Sequence, residues 1–310
     1  MLSIFGLTLA MNVYAADPES FIPEKASIIA RFDAKRMLQD IQNRSEMDKA
    51  QISADFKKFM SEFQAMVGVP LTDVFASDVW AAGIDEFQGS ALYAKTPVTE
   101  AKMAELTQMA CNNNDDIEYS EAAVGGKKVY IVTCKEKEQA MAMVYVASDV
   151  VLFTTYDSDT AAVLSASAAG GKNPLLEKIN RQTLIAAVVN VKELGVPDLG
   201  NVNYAKFTFD CVGAEKKDIF IQLDLECQDK TTARNMAMQA QMAVPSLICM
   251  PFGDNEELAM AMASGFKVKA NDNTVIATYS LPEPLMIKAV TYLTDPAKRQ
   301  EFNPQDSVNP

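Results

Sequence analysis

The 310-residue chain contains no histidine. That absence removes Ser-His-Asp and Cys-His catalysis, His-ligated zinc and an imidazole switch near neutral pH. Few candidates for chemistry remain. Ser264-Gly265-Phe266-Lys267 matches the S-x-x-K spacing in which a lysine amine activates a serine hydroxyl. It opens a predicted strand rather than a helix, which is the wrong context, and several serines and lysines make one chance match unsurprising. "CNNNDD" (Cys111 to Asp116) is the densest group of oxygen ligands, with Asn113, Asp115 and Asp116 as candidates for a hard cation such as calcium. EF-hand spacing is absent, however, and Asn/Asp runs after helices are commonly solvated loops. No Gly-rich phosphate loop occurs, neither G-x-x-x-x-G-K-[ST] nor G-x-G-x-x-G. Gly125-Gly126-Lys127 and Gly170-Gly171-Lys172 read as turns. Catalytic residues, cofactor and metal are therefore all expected to be none.

Sulfur is the compositional oddity. Of 17 methionines, Met236, Met238, Met242, Met250, Met260 and Met262 cluster in the second half. Met236 shares a helix face with Ala233, Ala237 and Ala240, a predicted core stripe. Met238 and Met242 form another row one turn apart. Two apolar rows on one helix imply either protein cover on both sides, which is the expected case, or an adaptable apolar groove for a ligand. The five cysteines leave at least one unpaired within a monomer. Cys111 ends a predicted helix and Cys134 a nearby predicted strand, so Cys111–Cys134 is the first candidate disulfide and Cys227–Cys249 the second; buried free thiols are the alternative. No C-x-x-C motif occurs.

The elements that position these residues follow from composition and pattern. The chain is 49% hydrophobic, enough for one large core or two ordinary ones. Its 41 acidic and 28 basic residues leave a net charge of −13. Nucleic-acid binding needs Lys and Arg against phosphate, and an acidic chain without a basic stripe is a poor candidate for it or for anionic membrane surfaces. "MLSIFGLTLAMNVYA" combines a short apolar run with small residues where signal peptidase reads, predicting cleavage after Ala15 and an exported, periplasmic or secreted protein. No Lys or Arg precedes the run, as an upstream start codon would explain. The run is too short for a bilayer, which takes about 20 apolar residues, and no later segment spans.

"SIIARFD" (Ser27 to Asp33) reads as a strand with Asp33 capping the helix that follows. A helical insert is expected at about 40–70, where Phe56, Phe59, Met60, Phe63 and Met66 recur at helical steps until Gly68-Val69-Pro70. Two strands around "EFQG", a helix capped by Thr99, a hairpin at Gly125-Gly126 (about 117–134) and a second hairpin, "VYVASDVVLFTTYD", come next. A helix and a Gly- and Pro-containing joint, 168–180, complete the first half. The second half repeats the order. "LIAAVVNVKEL" sits on "SIIARFDAKRM", with Asn190 on Asp33 as a cap, and "FKVKANDNTVIATYS" sits on the earlier hairpin, Asp272 on Asp149. Duplication of one α+β unit is the simplest account.

At "FIPEKASIIARFDAKRML" the chain resembles the openings of exported bacterial proteins of unknown function: a Pro, a few polar residues, an apolar strand, then Asp and a helix. "NTVIATYSLPEPLMIKAV" is similar to their closing strand and helix. The resemblance covers most of the mature chain and implies an exported, duplicated α+β fold without catalytic residues. The expected organisation is a leader (1–15), a first α+β unit (16–170), a second (181–298) and a tail (299–310), each unit an antiparallel sheet with helices on one face. The expected function is non-enzymatic binding or scaffolding, for an unidentified protein or apolar ligand. The alternatives are a carrier of apolar ligands along the Met-rich helices and a His-independent hydrolase using carboxylates or Ser-Lys.

Overall fold

The computed structural model describes residues 16–44, 58, 61–62, 64–74, 77–84, 89–137, 139–195, 199–212, 218–253 and 255–294. The expected leader, Phe56, Phe59, Met60 and Phe63 of the insert, and the tail lie outside them. The fold is α+β, and the chain forms two compact units, 1–177 and 178–310.

In the first unit, seven strands form an antiparallel sheet: β1 (Ile28–Phe32), β2 (Val79–Ile84), β3 (Gly89–Lys95), β4 (Ile117–Val124), β5 (Lys127–Cys134), β6 (Gln139–Ala147) and β7 (Val150–Thr155). Their order is β1-β2-β3-β7-β6-β5-β4. Helices α1 (Ala34–Arg44), α2 (Leu71–Val74), α3 (Glu100–Asn112) and α4 (Thr160–Ala169) connect them. The second unit contains β8 (Ile185–Asn190), α5 (Val191–Leu194), β9 (Val202–Val212), β10 (Asp218–Cys227), α6 (Lys230–Cys249), α7 (Glu256–Ser264), β11 (Phe266–Asn271), β12 (Thr274–Leu281) and α8 (Glu283–Thr294). Its strand order is β8-β9-β10-β12-β11.

The two orders share one scheme. Three strands pair in sequence, the chain leaves through a helix, and a hairpin returns so that its second strand pairs with the third: β7 on β3, β12 on β10. The first unit adds the β4–β5 hairpin beyond β6. Gly125 and Gly126 turn it at φ 59° and 78°, a left-handed geometry that glycine adopts without a Cβ penalty. The final hairpins differ at their tips. The turn residues are Ser148-Asp149 in one, where Ala147 pairs with Val150 beside a bulge, and Asp272-Asn273 in the other, with Asp272 at φ 51°. Setting Asp149 on Asp272 without a gap therefore places the facing residues one position out of phase.

Local sequence explains the helix entries. Asp33 Oδ1 accepts from the Arg36 N–H at 2.9 Å, and Thr99 Oγ1 from Lys102 at 3.3 Å. Asp229 and Asn255 do the same for α6 and α7. Asn190 makes no such bond; α5 is only one turn long and gives a cap little to secure. The 168–180 stretch is anchored rather than free. The Asn173 amide donates to the carbonyls of Pro23, Glu24 and Ala26, each at 2.9 Å. Gly170 sits at φ 59°, where a Cβ would lie 2.8 Å from the Ser20 carbonyl oxygen.

Helices lie on both faces of the first sheet, not on one. On one face Ile29, Trp80, Tyr93, Leu152 and Val144 are buried, and α4 packs against β3 and β6. Trp80 is 1% exposed, in the core of the first unit. The Tyr93 hydroxyl meets Ser167 Oγ of α4 at 2.7 Å. On the other face Tyr130, Met143, Tyr145 and Val151 pack with Met103 and Ala104 of α3. In the second unit, Ala233 and Ala237 of α6 pack on Val202, Cys227 and Val275, while Leu258, Ala259 and Met262 of α7 pack with Leu281 and Ala289.

Candidate functional site

The ladder places Ala81 of β2, Leu92 of β3 and Phe153 of β7 directly opposite one another, a cross-strand row on the face that α3 covers. Helix α3 packs mainly on β4 and β5, with Met103 and Ala104 over the Tyr130–Met143–Tyr145–Val151 cluster, and leaves the Leu92 end of this row open. Met141 of β6 stands opposite Thr155 on the same face. Leu92 is 37% and Met141 57% exposed, and the four side chains floor a groove of about 840 Å³ in the first unit. Strand pairing, not any local pattern, assembles it: residues from four strands meet because β3 pairs with β7 across some sixty positions of sequence.

One end of the groove is polar. Thr155, Tyr156, Asp157 and Gln139 line it. Asp157 is held by the chain itself. Its Oδ1 accepts from the Asp159 N–H at 2.9 Å and its Oδ2 from the Thr155 hydroxyl at 3.0 Å, while its own N–H donates to Thr160 Oγ1 at 2.9 Å. These bonds set the start of α4 and fix the carboxylate at the mouth of the groove. In the second unit the topologically matching row is Phe207, Leu223 and Ala277; Phe207 and Leu223 are each 36% exposed. A smaller groove, about 490 Å³, lies between α7 and α8, lined by Leu258, Ile287, Lys288 and Tyr292 among others.

A tyrosine–carboxylate network runs along the α3 side. Glu121 accepts from the Tyr119 hydroxyl at 2.6 Å and pairs with Lys128 at 2.8 Å; Tyr130 donates to Glu100 at 2.9 Å. The Lys128 and Tyr119 bonds hold the Glu121 carboxyl below its ordinary value. Burial first, then the Tyr119–Glu121 bond, pushes the Tyr119 phenol up. Tied-up donors and acceptors of this kind secure the β4–β5 hairpin; they leave no poised base.

The residues singled out from sequence fall elsewhere. Ser264 ends α7 with its hydroxyl donating to Ala261 at 2.7 Å, while Lys267 alternates with Phe266 and Val268 on β11, Val268 pointing into the core under α6. The two do not form a dyad. Asn113 is the C-cap of α3, and Asn114 Oδ1 accepts from the Asp116 N–H at 3.0 Å. The Lys135 ammonium donates to the Asp115 backbone carbonyl at 2.8 Å. Among the described residues no group of three His, Cys, Asp or Glu side chains converges to hold a metal.

Met238 and Met242 are 56% and 68% exposed, contrary to the expectation of protein cover. The small Ala233 and Ala237 bring α6 close to the sheet, Met236 fills the flank, and the Met238–Met242 row is left facing outward. The cysteine expectation is also corrected: all five are free thiols, including Cys111 and Cys134. Burial raises the Cys111 thiol, which keeps it protonated and unreactive. Cys227, likewise raised by burial and then by Asp229, donates to Met236 Sδ at 3.7 Å.

No family model matches the chain, and no curated protein matches it in sequence. Among solved structures it is similar to TP0453. Crystal form III aligns with a TM-score of 0.49 at 11% identity, over 89% of this chain and 99% of that one. Crystal form IV aligns at 0.46 and 12%, over 91% and 98%. At these values the likeness carries no argument about ligand or activity. Among the described residues no helix is long and apolar enough to cross a membrane.

Proposed function

We propose that the protein is exported and acts as a non-enzymatic binding protein, with the groove of the first unit as its site and a compact apolar ligand as its occupant. The observation that carries this is the open row Ala81–Leu92–Phe153 with Met141 beside it. Pockets of roughly 300–1,000 Å³ with apolar walls and a few convergent polar groups suit small molecules, and about 840 Å³ falls in that range. Covering exposed apolar surface is favourable by roughly 25 cal/mol per Å², which a ligand laid along the row would gain. The absence of histidine argues against an enzyme of the common hydrolytic types. The shared strand order of the two units supports an origin by duplication.

The test is binding of a neutral fluorescent apolar probe, N-phenyl-1-naphthylamine. Leu92→Lys is expected to abolish saturable binding, and Met238→Ala with Met242→Ala to leave it unchanged. Loss in the methionine variants with retention in Leu92→Lys would move the site to α6 and favour the carrier alternative.

A further inference from the structure

Building on that reading of the groove, we propose that its occupant is a small cationic amphiphile: an apolar chain along the Leu92–Phe153 row, with an ammonium group at the Tyr156–Asp157 end. Three observations lead there. First, Asp157 is the one charged side chain among the described lining residues, and no Lys or Arg is among them. An anionic head at this end would meet a carboxylate with no counter-charge, whereas an ammonium would find one. Second, the carboxylate is pre-positioned. Its bonds to the Asp159 N–H and the Thr155 hydroxyl occupy one lone pair on each oxygen and leave the remaining ones for a ligand. Third, Tyr156 and Phe153 bring aromatic rings to the same groove. Ring faces attract cations, and ring plus carboxylate is the combination that recognises substituted ammonium groups. The chain's net charge of −13 adds long-range attraction for a cation.

The experiment compares decyltrimethylammonium and decanoate, which share their chain length and differ in head charge, by isothermal titration below their micelle concentrations. The wild-type protein is expected to bind decyltrimethylammonium at one site, roughly three- to thirtyfold more tightly than decanoate, the range of an exposed ion pair plus a cation–π contact. Asp157→Asn should erase that preference. Glu256→Gln, which removes one exposed carboxylate of the second unit, should keep it and so separates the site from general attraction to an acidic protein. Equal affinities in wild type, both abolished by Leu92→Lys, would overturn the cation preference while the apolar groove stands. No saturable binding of either probe would overturn the groove and the inference together. A preference kept in Asp157→Asn would also overturn the inference.

Discussion

The contact between Tyr93 and Ser167 ties α4 to the sheet and gives a test with a change of sign. Tyr93 is fully buried, its hydroxyl 2.7 Å from Ser167 Oγ, and Ser167 in turn donates to the Val163 carbonyl at 2.8 Å. The tyrosine is thus the donor of the pair. Tyr93→Phe removes one buried hydrogen bond but leaves Ser167 its carbonyl partner, so at neutral pH it should cost about 1 kcal/mol. Alkaline pH reverses the balance. Burial raises the Tyr93 phenol from 10.0 to about 12, with the Ser167 bond pulling more weakly the other way. A group whose folded pKa lies above its unfolded one stabilises fully below the unfolded pKa, and that contribution is lost as pH climbs through the folded value. The window is therefore pH 10 to 12. At about 1.4 kcal/mol per pH unit, the loss approaches roughly 3 kcal/mol across it. The phenylalanine variant lacks this loss. Its stability should trail the wild type by about 1 kcal/mol at pH 8, equal it near about pH 11 and exceed it above. Urea unfolding followed by far-ultraviolet circular dichroism at stepped pH measures both curves. Tyr145, also raised to about 12 by burial, affects both proteins alike. A constant offset between the two proteins at every pH would refute the reasoning.

Other expectations follow from packing. Met238→Ala and Met242→Ala should each change stability by less than about 0.5 kcal/mol, whereas Met262→Ala, 9% exposed on the inner face of α7, should lose about 2–5 kcal/mol; equal losses in chemical denaturation would put the α6 row in the core. Gly265→Ala should destabilise by more than about 1 kcal/mol, because its Cβ would collide with the Ser280 carbonyl oxygen, and an unchanged melting temperature would contradict that contact. Thiol titration without reductant should count five groups after unfolding; in the folded protein the half-buried Cys134 and Cys249 should react before the buried Cys111, Cys211 and Cys227, and a total of three would reveal a disulfide.

Much of the fold was legible because its signals are local. Asp33 and Thr99 announce their helices through one short-range bond each, and Gly125-Gly126 announces a turn that few other residue pairs can make. The repeated order of elements was legible for the same reason. What covers a face was not. The Met238–Met242 row has the spacing of a buried stripe, and spacing records the face a residue occupies without recording what stands opposite it. Helix α6 also continues through Pro245 to Cys249, past a residue that ordinarily ends a helix. Pro245 forfeits one helical bond there, and the turn is held by packing of Ile248 and Cys249 against Phe252 and Leu258. The groove left no trace in sequence. Ala81, Leu92, Met141 and Phe153 are ordinary strand residues, and only the pairing of β3 with β7 makes them neighbours. Asn173 was equally silent: its three carbonyl partners lie about 150 positions away along the chain.

Trp80 has an optical consequence. It is the chain's one tryptophan and lies within β2, sealed from water. Selectively excited indole emission from this protein is thus a signal of the first unit alone, while the second stays dark. Circular dichroism adds the ellipticity of both. Overlaid on one denaturant axis, the two signals coincide only when the units melt as one cooperative block. A displacement between them reads out, without label or mutation, how far each unit unfolds independently of the other.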